Sequence, residues 1–147
     1  MTGILLHADR YGEGRDNLLL RDLGFGPTRD LVASLLEAGL YVAVATFDCD
    51  RGRAVSATQN VDDSWSRNPR AGIEPLGPGV LRFGDREFGY ASTSTGDLLL
   101  IDGEVLALGR VGFEPMDGLE VDLDAIRVVG GGKLSEALPA SDLSLKS

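Results

Sequence analysis

Thr28–Phe47, TRDLVASLLEAGLYVAVATF, is the stretch that decides the fold. Leu31, Val32, Leu35 and Leu36 fall on one helical stripe, and Arg29, Asp30 and Glu37 lie away from it. Thr28 is suited to capping the N-terminus, and Asp30 places a negative charge at the positive end of the helix dipole. A helix over Arg29–Ala38 follows, with Gly39 as a left-handed terminator. Leu40–Phe47 is apolar throughout and reads as a strand buried on both faces. Ala43 and Ala45 share one of those faces and leave room for the helix.

Upstream, Thr2–Ala8 reads as a strand with Leu5, His7 and Asp9 on one side. A polar loop, Arg10–Asn17, leads to the short apolar run Leu18–Leu23, which fits a strand or a helical turn equally. Downstream, Asp50, Arg51 and Gly52 predict a hairpin turn with a return strand over Arg53–Gln59. Asn60–Pro78 is irregular and long for a connection. Beyond it the texture changes to short strands. Val80–Phe83 and Glu87–Ala91 flank Gly84-Asp85, and Asp97–Ile101 and Glu104–Leu108 flank Asp102-Gly103, the strongest hairpin signal in the chain. Leu119, Val121 and Leu123 alternate with Glu120, Asp122 and Asp124, which predicts a half-exposed strand with an acidic outer face, extended by Ile126–Val129. Gly130–Gly132 breaks the pattern before a tail, 130–147, that is either docked or flexible, with a helical hint at Leu134–Leu138. The reading is one α+β domain, 1–147. It has a mixed, mainly antiparallel, bent sheet, barrel-like in its C-terminal half, packed against one principal helix.

Charge narrows the function classes. Against 14 basic residues stand 23 acidic ones, a net −9. Residues 74–147 carry 6 basic and 13 acidic side chains, so −7 of the −9 lies in the second half. Such a field repels nucleic acid and anionic lipid and attracts a basic partner. At 43% hydrophobic the chain is too apolar for a disordered acidic tail. Cys49 is the single cysteine, which excludes an intramolecular disulfide and argues against a cysteine zinc site. No apolar run approaches the roughly 20 residues of a membrane span. Gly3–Leu6 has no basic region before it, so no signal peptide is read and a cytoplasmic location is expected. Lys133 and Lys146 are the only lysines, a bias that suggests a GC-rich, bacterial genome.

Four constellations carry candidate chemistry. His7 and Asp9 share a face near the end of the first strand, and Asp48 and Asp50 share one near the end of the buried strand. If those strands are parallel neighbours, the four converge and could hold a divalent metal that activates water, as in a small phosphoesterase. Gly24–Thr28 leads into a helix start but lacks the lysine of a phosphate loop, so it reads as a plain turn. Trp65, Arg67 and Arg70 in the long loop are residue types that dominate interface hot spots. Asp117, Glu120, Asp122 and Asp124 form the acidic stretch, which lacks calcium-loop spacing and reads as a docking face for a basic protein. Nucleophilic catalysis finds no support, because acids flank Cys49 and no Gly-x-Ser-x-Gly is present. No catalytic residue is assigned and no cofactor is expected outside the metal reading. The leading expectation is a small acidic binding protein, of inhibitor or immunity type, for a basic protein partner. The alternatives are the metal-dependent hydrolase and a phage or assembly component.

Overall fold

Strand β1 (Thr2–Ala8) lies between β2 (Tyr41–Asp48) and β6 (Leu98–Ile101), antiparallel to both. A computed structural model gives this arrangement and describes residues 2–11 and 17–138. β6 continues through a tight turn at Asp102-Gly103 into β7 (Glu104–Gly109), which pairs with β8 (Gly112–Pro115). Asp102 (φ 50°) and Gly103 (φ 79°) are both left-handed, as a two-residue hairpin turn of matching twist requires. On its other edge β2 receives two short strands, β3 (Ile73–Pro75) antiparallel and β9 (Arg127–Val128) parallel. The sheet is thus mixed and mainly antiparallel. A separate two-stranded hairpin, β4 (Val80–Phe83) with β5 (Arg86–Gly89), stands off it.

The register of β1 against β2 slips at Val44: Leu5 faces Ala45 and Leu6 faces Ala43. This bulge turns Val44 and Ala45 toward the same core and divides the outer edge of β2. Val129 donates to the carbonyl of Ala43, and Leu76 to that of Val44. Close approach also dictates Gly3, where an added Cβ would lie 2.8 Å from the Leu100 carbonyl and nearer still to the Phe47 ring.

Both faces of the central strands are buried, as the unbroken apolar run of β2 predicted. On one face Ile4, Leu6, Ala8, Tyr41 and Ala43 share a core with α1 (Leu18–Leu23) and α2 (Arg29–Glu37). α2 is the longest described helix, with the Thr28 hydroxyl accepting from the Leu31 amide. The tail docks on this face as far as it is described. α4 (Leu134–Ala137) buries Leu134, and Leu138 follows it into the core; 139–147 lie outside the described residues, as do 12–16 of the polar loop. On the other face Leu5, Val42, Val44 and Phe47 share a core with Trp65, Tyr90 and α3 (Arg51–Ser56).

Three expectations need correction. The return strand over Arg53–Gln59 is instead α3. Asp50 caps it, its carboxylate accepting from the Arg53 amide at 2.9 Å, so the turn residue starts a helix. The acidic segment Leu119–Asp124 is not a strand. Asp122 accepts from the Asp124 amide and nucleates a 3-10 turn, Leu123–Ala125, a local side-chain bond that competes with sheet pairing. Barrel-like closure is not found: the path runs from β3 to β8, and no pairing among the described residues joins its ends. No described helix is long and apolar enough to cross a membrane.

Candidate functional site

Because β1 and β2 are antiparallel, the metal constellation does not assemble. Thr2 sits opposite Asp48 and His7 opposite Val42. His7 is therefore five residues along the strand from Asp48's partner, roughly 17 Å at the usual rise. His7 and Asp9 lie at one end of the sheet, Asp48 and Asp50 at the other. Among the described residues no group of three or more metal-ligating side chains converges. Parallel pairing was the premise of that reading, and the register removes it.

What His7 does instead is link a buried polar chain. It is 1% exposed. Its Nδ1 meets the Tyr11 hydroxyl, which itself accepts from the Ala91 amide at 3.2 Å. Its Nε2 lies 2.9 Å from Thr93 Oγ1, which lies 2.7 Å from Thr58 Oγ1. Thr58 donates to the Ala54 carbonyl at 2.7 Å. A neutral imidazole protonated on Nε2 satisfies every one of these groups, with donors running from Tyr11 through His7, Thr93 and Thr58 to Ala54. Burial lowers the His7 pKa below its ordinary value; the nearby Asp97 opposes that shift and Arg10 adds to it. Asp97 is fully buried, and its carboxylate accepts from Ala8 N (2.9 Å), Ser94 N (2.8 Å) and Arg10 Nη1 (2.7 Å). The same causes hold the Tyr11 hydroxyl protonated: burial raises its pKa, and Asp97 raises it further.

Tyr11 stands where this chain of bonds meets a cleft of about 970 Å³. The floor is apolar, with Leu40, Val42, Val128 and Val129, and β4 forms one wall. Asp9, Arg82 and Arg127 are the charged side chains in its lining among the described residues. Arg127 Nη2 donates to Asp9 Oδ2 (3.3 Å) and to the Gly39 carbonyl (3.1 Å), closing the gap between β9 and the end of α2.

The Trp65 loop is built as structure. Trp65 is fully buried, donates from Nε1 to the Ala91 carbonyl at 2.8 Å, and meets His7 and Tyr90 edge to face. As a partner-binding residue it is corrected: no ring surface is offered to solvent. Arg70 likewise turns inward. Its guanidinium donates to the carbonyls of Ala57, Gln59 and Val61 and to Asp63. These bonds explain why so long a segment keeps one shape. Arg67 is the exposed member, 3.7 Å from Glu87.

Asp117, Glu120, Asp122 and Asp124 are all exposed. Leu119, Val121 and Leu123 turn toward the core beneath α2, so the predicted alternation holds without strand pairing. Arg29 ties the segment to α2 by donating to the Asp117 carbonyl at 2.8 Å. Between α2 and this segment runs a shallow groove of about 310 Å³. Its floor is Ala33, Leu36, Leu119, Val121 and Ile126, and its charged lining residues are Glu37, Glu120 and Asp122. Asp48 and Asp50 flank Cys49 near the far end of β2, where burial first and Asp50 second push the thiol's pKa up.

Sequence reasoning missed Thr58, Thr93, Asp97, Arg82 and Arg127, and it gave Glu37 no site role. Asp97 carried a signal, an acid directly before the all-apolar LLLI of β6. Comparison with known proteins finds no matching family model, no matching curated protein and no matching solved structure.

Proposed function

We propose that the protein is a non-enzymatic binding module that docks a basic segment of another protein, in the manner of an inhibitor or immunity-type protein acting in the cytoplasm. One observation carries the reading: the groove between α2 and 119–126 has an apolar floor, and every charged residue lining it among the described residues is an acid. An arginine- or lysine-bearing segment with apolar residues between its charges complements both features. Asp117 and Asp124 extend the same acidic surface beyond the groove.

The test is a titration with a short synthetic peptide alternating Arg and Leu, followed through the backbone amide signals. Shifts should concentrate at Ala33, Leu36, Leu119 and Val121. Affinity should fall about tenfold or more between low salt and about 0.5 M salt, where screening shortens to a few ångströms. Shifts spread over the whole surface, or an affinity indifferent to salt, would remove the proposal.

A further inference from the structure

The cleft beneath the β4–β5 hairpin differs in its charge from three other grooves formed by the described residues. Asp50, Arg51, Asp102 and Glu104 line one of the others, Asp48 and Glu74 a second, and Glu37, Glu120 and Asp122 the third, so acids are in excess in each. Among the described residues lining the cleft, two arginines face one acid, Arg82 and Arg127 against Asp9, in a chain whose net charge is −9. It is also the largest of the four, at about 970 Å³. That is the upper part of the range for small-molecule sites.

The two arginines are not consumed by their present contacts. Among the described residues both hydrogen bonds of Arg127 run through Nη2, which leaves Nε and Nη1 as donors. Arg82 is 78% exposed and meets Glu87 at 3.0 Å, an exposed pair of small net value that Glu87 also shares with Arg67. Beside them the walls are apolar: Pro78, Val80, Leu81 and Phe83 on the hairpin side, Leu40, Val42, Val128 and Val129 on the sheet side. The Phe83 ring is half exposed and packs only obliquely against Phe88, centroids 5.9 Å apart. A guanidinium fork matches a carboxylate in plane and spacing. We infer that this cleft binds a small organic carboxylate with a flat apolar body, its body between the hairpin and the sheet and its carboxylate on Arg82 and Arg127. This inference is independent of the acidic groove, which is built from other residues.

Naphthalene-2-carboxylate and its neutral carboxamide are the probes, titrated into the full chain with the backbone amides as readout. The carboxylate should shift Gly39, Val129, Gly130 and Gly131, and should bind about tenfold more tightly than the carboxamide, as expected for charge-assisted bonds. Arg127→Gln tests the pair directly, but it also releases Asp9 and Gly39. Arg82→Gln, at an exposed position, keeps the test clean. At least one of the two should weaken the carboxylate about threefold or more and leave the carboxamide unchanged. Equal binding of the two probes, shifts centred elsewhere, wild-type affinity in both variants, or no binding of the carboxylate at about 10 mM would each overturn the inference.

Discussion

On one face of β1, Ile4, Leu6 and Ala8 share an apolar core with Leu20, Leu23, Val32 and Leu35 of the two helices. On the other, Leu5 shares a core with Trp65 and Tyr90, and His7 joins Tyr11, Thr93 and Thr58 by hydrogen bonds. The helical face is held by area, which tolerates exchange of one apolar shape for another. The aromatic face is held by direction as well. Each polar group there has a particular partner, and removing one leaves another buried and unsatisfied. The difference teaches why irregular chain covers one side of the sheet. Residues 57–66 and 73–93 include only short strands, and side-chain bonds to their backbone carbonyls and amides do the work that helical bonds do opposite.

The largest effect should separate the two faces at their centres. Trp65→Ala removes a fully buried indole and leaves the Ala91 carbonyl without its donor. It should cost about 4 kcal/mol of unfolding free energy, against about 3 kcal/mol for Leu35→Ala on the helical face. Urea unfolding of the two variants measures both. A Leu35→Ala loss equal to or larger than that of Trp65→Ala would break the distinction.

His7 sharpens it next. His7→Leu keeps volume and discards both ring nitrogens, leaving the Tyr11 and Thr93 hydroxyls to find other partners, and should cost about 2 kcal/mol. The same residue makes stability depend on pH. Burial lowers the folded pKa below the ordinary 6.5, so the unfolded chain binds the proton more readily. The stabilisation is complete above pH 6.5 and is lost as pH falls below it toward the folded value. His7 is the only histidine in the chain, so His7→Gln should flatten the stability profile just below pH 6.5. A profile unchanged by that substitution would mean that His7 does not titrate on unfolding.

A smaller loss belongs to Asp50→Ala, which removes the cap of α3 and should cost about 1 kcal/mol. It also bears on what the sequence makes legible. The helix Arg29–Glu37, strands β1 and β2 and the Asp102-Gly103 hairpin are visible in periodicity, caps and turn residues, because local chemistry and tertiary packing agree there. Asp50 is ambiguous, since an aspartate before glycine serves a turn and a helix cap alike; the burial of Ala54 and Ala57 under β2 decides in favour of the helix. The acidic segment reads correctly as to which side faces in, because alternation marks burial, and wrongly as a strand, because alternation carries no information about a pairing partner. Site residues are the least legible. His7 and Thr93 are 86 positions apart, and nothing local to either names the other. Strand direction, which decided against the metal cluster, is likewise a property of the whole chain.

The smallest effect on stability is expected at the acidic groove, where the comparison reaches its limit in solvent. Glu37→Gln, Glu120→Gln and Asp122→Asn together remove three charges lining one groove. Glu37 and Glu120 are exposed, and Asn at 122 keeps an oxygen to cap the 3-10 turn. Neutralising like charges relieves mutual repulsion, so stability should stay within about 0.5 kcal/mol of the parent or rise slightly. Association with a basic peptide should nevertheless slow, and its rate should lose most of its dependence on ionic strength. A stopped-flow series across salt concentrations measures this. If the triple variant loses stability on the scale of His7→Leu, those carboxylates belong to the fold as the buried network does. If the rate keeps its salt dependence, the steering charge lies elsewhere on the chain and the groove is a solvated seam between α2 and its neighbour.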